Sequence, residues 1–317
     1  MERIQITPKS YPTNLLQKDW TQRKCFYRKN SVKFMDRVHD MEVLDDDVWL
    51  VTLPKCGTTW MQELLWLVIN DYDFEAAKQE HLEIRTPFLE FGFMLHEDIN
   101  KAFKPVQDLK SPRLIKSHLS LPLLPAQLWQ KKPKVVYVYR NPKDALVSEY
   151  YHARSLGFDM DKTCEQSLHN FIDHSSLTQL PFEHVTEFYA LRQEPWLLYT
   201  SFERMKLNLR EVIMEVVQFL NKSITELQMQ QMLQHLSFES MKENPKTNHH
   251  WEFDQVRRLL NSQATEEHNF IRKGQVGGYK DDISPALIAK CDRWIEEQLL
   301  PYNLTLNELL LLDKKKE

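Results

Sequence analysis

Val48 to Asn70 reads VWLVTLPKCGTTWMQELLWLVIN, an apolar run that turns through Pro-Lys-Cys-Gly-Thr-Thr directly into a helical pattern. Trp49 to Leu53 is β-prone and apolar, which predicts a buried strand, and Trp60 to Asn70 has the apolar content of a packed helix. A helix start leaves its first backbone N–H groups without intrahelical partners, and its macrodipole favours an anion. Gly57, Thr58 and Thr59 stand at that start, with two hydroxyls to add, and Lys55 supplies a full positive charge. The stretch therefore predicts a strand-loop-helix that binds phosphate. It differs from the common ATP and GTP loop, which needs two glycines and a lysine after the second, because here the lysine precedes a lone glycine.

Outward from this segment, further strand-like runs occur at Arg113 to Ser117, Lys134 to Tyr139 and Trp196 to Ser201. Helical patterns lie at Asp144 to Arg154, Leu207 to Leu220, Ile224 to His235 and Pro285 to Leu300. Strands alternating with helices predict an α/β fold, a central parallel sheet flanked by helices. With no internal repeat, low-complexity tract or Pro/Ser-rich linker, residues 1–317 read as a single domain. The first three strands end in Lys55, in Lys116 and His118, and in Arg140 and Asn141; carboxyl ends of neighbouring strands line one crevice in such a sheet.

Composition narrows the function classes. The 317 residues are 42% hydrophobic with a net charge of −4, which excludes a disordered chain and a nucleic-acid-coating protein but leaves room for a small anionic ligand held by a local cationic cluster. No stretch approaches the roughly 20 apolar residues of a membrane span, and MERIQITPKSYPTNLL lacks the apolar core of a secretory signal, so a cytoplasmic protein with no membrane partner is expected. Cys25, Cys56, Cys164 and Cys291 lack metal-site spacing and read as free thiols; a helix N-terminus and Lys55 beside Cys56 would stabilise a thiolate, but the preferred reading of Cys56 is an unreactive small filler. Of six glycines, Gly274, Gly277 and Gly278 crowd together, marking backbone that meets something closely. The terminal KKKE reads as a solvated tail.

Two further segments carry chemistry. In RLIKSHLS, Arg113 to Ser120, Lys116 and His118 are two apart and share a face if the strand persists, and imidazole is the general base suited to neutral pH. Lys134 to His152, KVVYVYRNPKDALVSEYYH, is a strand, a turn and a helix; Asn141 suits the helix cap and Pro142 its first turn. Arg140 and Ser148 are spaced so that a guanidinium fork and a hydroxyl meet one phosphate.

These segments, with RKGQVGGYK at Arg272 to Lys280 and FESMKENPKTN at Phe238 to Asn248, occur in the order seen in cytosolic sulfotransferases, and the resemblance spans roughly Val48 to Lys280. It implies sulfonate transfer from 3′-phosphoadenosine 5′-phosphosulfate (PAPS), without a metal, to a small hydroxyl-bearing acceptor. By that resemblance Lys55, Gly57, Thr58 and Thr59, with backbone from Cys56, hold the 5′-phosphosulfate. Trp60 and Phe238 flank the adenine, with Phe202, Ser237 and Met241 in the same site. Arg140, Ser148, Arg272, Lys273 and Gly274 bind the 3′-phosphate; His118 is the base, and Lys116, Lys55 and Ser148 complete the catalytic set. The product nucleotide is adenosine 3′,5′-bisphosphate. In-line transfer with charge building on the leaving phosphate needs positioned lysines and amides, which this set provides.

Some positions depart from the resemblance. Phe202 stands where relatives often carry tyrosine and Leu236 where threonine is common, a loss of about 0.5–1.5 kcal/mol per absent hydrogen bond. The dimerisation stretch would fall on Lys280 to Ala289, where little but the lysine survives, so a monomer or a dimer through another surface is expected. Phe26, Phe88, Phe91, Phe93, Met94, His152 and His249 to Phe253 are candidate walls of an apolar acceptor pocket for a phenol, alcohol, steroid or retinoid-like molecule. Asn244 to Gln275 reads as a long lid. A dehydratase acting through a transient sulfate ester and a non-catalytic nucleotide-binding protein remain the alternatives.

Overall fold

A computed structural model of the protein describes residues 3–173, 181–260, 262 and 270–313. The KKKE tail and residues 261 and 263–269 of the expected lid lie outside the described residues. The fold is α/β, a central four-stranded parallel sheet with flanking helices, as the alternation of strand and helix patterns predicts. The chain forms two compact units: Met1–Leu53 with Thr86–Tyr137 and His174–Tyr199, and Pro54–Arg85 with Val138–Asp173 and Thr200–Glu317.

The first unit opens with an antiparallel pair, β1 (Arg3–Ile6) and β2 (Cys25–Arg28), which the sequence reading did not anticipate. β3 (Val48–Thr52), β4 (Leu114–Ser117), β5 (Lys134–Tyr139) and β6 (Leu197–Ser201) make the main sheet in the order β4-β3-β5-β6. β3 is internal to that order, and an internal strand of a parallel sheet is covered on both faces. Its VWLVT sequence is buried at every position. β4 pairs with it in parallel, Val48 opposite Leu114 through Val51 opposite Ser117. Register is pinned just before the two strands, where Arg113 Nε and Nη2 donate to the Asp47 carboxylate at 2.7 and 2.6 Å in a buried two-pronged pair. Around Tyr137, Phe188 stacks at 4.4 Å and Tyr199 at 5.4 Å. Its hydroxyl meets His184 Nδ1 at 2.9 Å, while His184 Nε2 donates to the Leu119 carbonyl at 3.1 Å, and burial pushes the imidazole down to about 3.

In the second unit Glu63, on the helix Thr58–Ile69, accepts from Arg85 of the helix Leu82–Arg85 at 2.8 Å and pairs with His235 at 2.7 Å, all three buried. Removing one partner from such a buried set leaves an uncompensated charge, so it fixes the packing of these elements. The helix expected over Leu207 to Leu220 is present as Leu209–Phe219, and a short helix that the sequence reading did not anticipate, Phe202–Leu207, precedes it. Asn208 separates them because its extended backbone breaks the first and its side chain caps the second at the Glu211 amide. Within the expected lid, His250–Leu259 is a helix rather than irregular chain.

Candidate functional site

After Thr52 the chain turns and enters the helix Thr58–Ile69, with Lys55 at φ 64° and Gly57 at φ 89°. Gly57 is the helix cap and offers no side-chain oxygen to the first-turn amides. Glycine is required there twice over. The left-handed φ disfavours other residues, and a Cβ would stand 2.8 Å from Phe202 Cδ2.

Arg140 closes this loop from the end of β5. Its Nη1 donates to the Lys55 carbonyl at 3.1 Å, its Nη2 to the Gln275 carbonyl at 3.0 Å, and its guanidinium lies 4.2 Å over the Phe202 ring. Arg140 Nε is buried and has no hydrogen-bond partner among the described residues. Burial pulls its pKa below the ordinary guanidinium value, opposed by Asp144. A buried cation with an N–H unanswered among the described residues, bonded to the loop that enters a helix N-terminus, is suited to an anion.

The adenine candidates occupy adjoining parts of the second unit. Trp60 meets Phe202 edge to face at 5.7 Å, and its indole N–H donates to the Leu236 carbonyl at 2.9 Å. That bond uses the backbone and so does not depend on the side chain at position 236. Ser237 spends its hydroxyl capping Phe238–Glu243 at the Ser240 amide, and Met241 is buried. Phe238 lies so close to Gly274, itself at φ 57°, that a Cβ on the glycine would approach ring Cδ2 to 2.4 Å.

Arg272 and Lys273 do not stand as open phosphate ligands. Both reach Asp282, at 3.3 and 2.9 Å, and Tyr151 donates its hydroxyl to the same carboxylate at 2.8 Å. Ser148 lies half-buried on the helix Pro142–Ser155. On that helix Asp144 accepts from the Gly277 amide at 2.8 Å and the Tyr279 amide at 3.0 Å, so one buried carboxylate fixes the glycine-rich turn that follows Lys273. Sequence reasoning missed Asp144 and Asp282; the clustering of Gly274, Gly277 and Gly278 was the available signal. Cys56 is buried and its thiol is pushed up to about 12 by burial, as the filler reading requires.

Beside the loop, Lys55 Nζ lies 3.6 Å from the Phe270 ring centroid. Phe270 packs on His249 at 4.4 Å, and His249 Nε2 is 2.8 Å from Thr59 Oγ1. His249, read from sequence only as a pocket wall, thus touches a loop hydroxyl.

His118 and Lys116 belong to the first unit. β4 ends at Ser117, so His118 stands one residue past the strand, yet both side chains meet Phe88: its ring lies 4.8 Å from the imidazole and 4.7 Å from Lys116 Nζ. His118 Nδ1 is 2.8 Å from the Thr52 carbonyl, with Thr52 Oγ1 at 3.1 Å. A carbonyl only accepts, so the proton sits on Nδ1 and the basic lone pair of the neutral ring falls on Nε2. Part of the phenylalanine-rich stretch departs from the pocket reading. Phe93 is core, stacked on Phe34 at 4.7 Å and against Phe103 at 5.2 Å, and Gly92 lets Phe91–Leu95 press on Ala102, whose carbonyl a Cβ would meet at 2.0 Å.

Residues 45–302 match the profile of the family described as "Sulfotransferase domain". The chain belongs to the sulfotransferase family. It is 35% identical over 85% of its length to luciferin sulfotransferase of Photinus pyralis, covering 76% of that protein. It is 32% identical over 84% of its length to sulfotransferase 1E1 of Bos taurus, covering 89%. Among solved structures, retinol dehydratase in complex with retinol and PAP superposes with a TM-score of 0.78 at 24% identity, over 96% of this sulfotransferase and 98% of that chain. No group of three or more His, Cys, Asp or Glu among the described residues of this sulfotransferase has an arrangement that could hold a metal ion.

Proposed function

We propose that this sulfotransferase moves a sulfonate group from PAPS to the hydroxyl of a small hydrophobic acceptor, with His118 as general base. The observation that carries the donor assignment is the buried Arg140 Nε without a partner, beside a loop shaped by Lys55 and Gly57. PAPS supplies the sulfonate and a leaving phosphate. The amides from Gly57 to Thr59 and the Lys55 ammonium hold the 5′ end, Arg140 and Ser148 the 3′-phosphate, and Trp60 and Phe238 the base. Arg272 and Lys273 exchange the Asp282 carboxylate for the 3′-phosphate as the nucleotide enters. Nε2 of His118 takes the acceptor proton, a step worth on the order of a hundredfold to ten-thousandfold.

The reading extends to one sulfotransferase domain over residues 1–317, working in the cytoplasm, with any dimer formed away from Lys280 to Ala289. The relatives named for luciferin and the neighbour bound to retinol support a hydrophobic acceptor. Turnover of a panel of phenols, steroids, retinoids, aliphatic alcohols, sugars and peptides, with products resolved by mass spectrometry, tests it. Sulfated phenols or alcohols are expected. Turnover confined to sugars or peptides contradicts the acceptor class, and free sulfate released with a dehydrated alcohol assigns the dehydratase instead.

A further inference from the structure

Glu90 is buried in the first unit and lies in none of the roles above. Its position follows from backbone pairing. Phe88 forms a parallel bridge with Lys116, Leu89 donates to the Lys116 carbonyl at 2.9 Å, and the Lys116 amide donates to Pro87 at 3.1 Å. Past that bridge Glu90 turns into αR backbone, and its side chain reaches back to the residue that follows β4. The contact is made: the His118 backbone N–H donates to Glu90 Oε1 at 2.7 Å. The second carboxyl oxygen, Oε2, is buried without a hydrogen-bond partner among the described residues.

We propose that Glu90 is a positioning residue for the base, its carboxyl holding the His118 amide so that the imidazole stays on the Thr52 carbonyl and presents Nε2 to the acceptor. The proposal rests on His118 being the base. Two anchors then fix this residue, Thr52 at the ring and Glu90 at the backbone. The second anchor matters because His118 lies past the end of β4, where the strand ladder no longer holds it. A negatively charged acceptor grips an amide more strongly than a neutral one.

Burial pushes the Glu90 carboxyl up to about 7, opposed by the His118 amide, the Ser117 hydroxyl and the Lys116 ammonium, which are the groups that face it. Glu90 therefore takes up a proton near neutrality, and its grip weakens as pH falls through that value.

The test measures kcat, kcat/KM for the acceptor from about pH 5.5 to about pH 8.5, and the Kd of adenosine 3′,5′-bisphosphate in the full-length protein. Because Glu90→Gln keeps an acceptor but cannot ionise, the ratio of wild-type to Glu90→Gln kcat/KM is expected to fall by about threefold or more as pH drops through about 7. Glu90→Ala is expected to lower kcat by about tenfold or more while nucleotide Kd stays within about twofold. A wild-type to Glu90→Gln ratio that does not change with pH, undiminished kcat in Glu90→Ala, or parallel loss of kcat and nucleotide binding in Glu90→Ala overturns the proposal. His118→Ala is run alongside; full turnover in that variant removes the base assignment itself, an outcome distinct from any of these.

Discussion

Replacing Arg140 by lysine keeps one positive charge at the end of β5 but removes the planar fork. In the structure that fork makes two hydrogen bonds to loop carbonyls, lies on the Phe202 ring and retains one buried N–H unanswered. The unanswered N–H is the group assigned to the nucleotide 3′-phosphate. A hydrogen bond to a charged group contributes about 1.5–3 kcal/mol, and about 1.4 kcal/mol is a factor of ten in Kd, so the 3′-phosphate contribution should fall by about 10- to 150-fold. Calorimetric titration of adenosine 3′,5′-bisphosphate and of adenosine 5′-monophosphate into wild type and Arg140→Lys isolates it. The variant should lose most of the ratio between the two affinities, while the monophosphate, which lacks the 3′-phosphate, changes little. A preserved ratio, or equal weakening of both nucleotides, would mean that Arg140 only props the loop and would refute the reasoning.

Gly57→Ala must adopt φ 89° and push Phe202 Cδ2 away from 2.8 Å, so a loss of about 1–3 kcal/mol is expected in chemical denaturation, and an unchanged midpoint would contradict the strain argument. Asp144→Ala deprives the Gly277 and Tyr279 amides of their acceptor; donor KM should rise several-fold with kcat less affected, read from initial rates at saturating acceptor. His184 is neutral when folded, with its pKa at about 3, but protonates near its ordinary value when unfolded. The unfolded chain therefore binds the extra proton between those values, and stability falls as pH drops below about 6.5, by up to about 1.4 kcal/mol per pH unit from this residue. His184→Gln should flatten the pH dependence of the urea midpoint over that window, and an identical dependence would remove His184 as its source.

Val48 to Asn70 was legible because its chemistry is local: apolar strand, glycine turn and helix follow one another in the chain, and the structure holds them as read. The α/β class was legible for the same reason, each strand announcing itself by a short apolar run. What escaped depends on residues distant in sequence. Asp144 finds its partners at Gly277 and Tyr279, and Arg272 and Lys273 find Asp282, so no spacing rule exposes those carboxylates. Glu90 sits inside a phenylalanine-rich stretch whose pattern suggested a pocket wall; only the hydrogen bond from the His118 amide shows where its carboxyl goes. Phe93 could not be told from a pocket residue by composition, because core and pocket both call for aromatic rings, and its stacking between Phe34 and Phe103 decides it. The short helix Phe202–Leu207 was hidden because six residues are too few to show a helical period.

Incubation of wild type and His118→Ala with isotopically labelled sulfonate donor and a phenol or alcohol acceptor, with adenosine 3′,5′-bisphosphate binding measured on the same preparations, tests the sulfonate-transfer account most directly. The account predicts labelled, sulfated acceptor from wild type, a loss of at least about a hundredfold in His118→Ala, and equal nucleotide affinity in both. Equal labelling by the two proteins, or tight nucleotide binding by wild type with no labelled product from any acceptor, would contradict it.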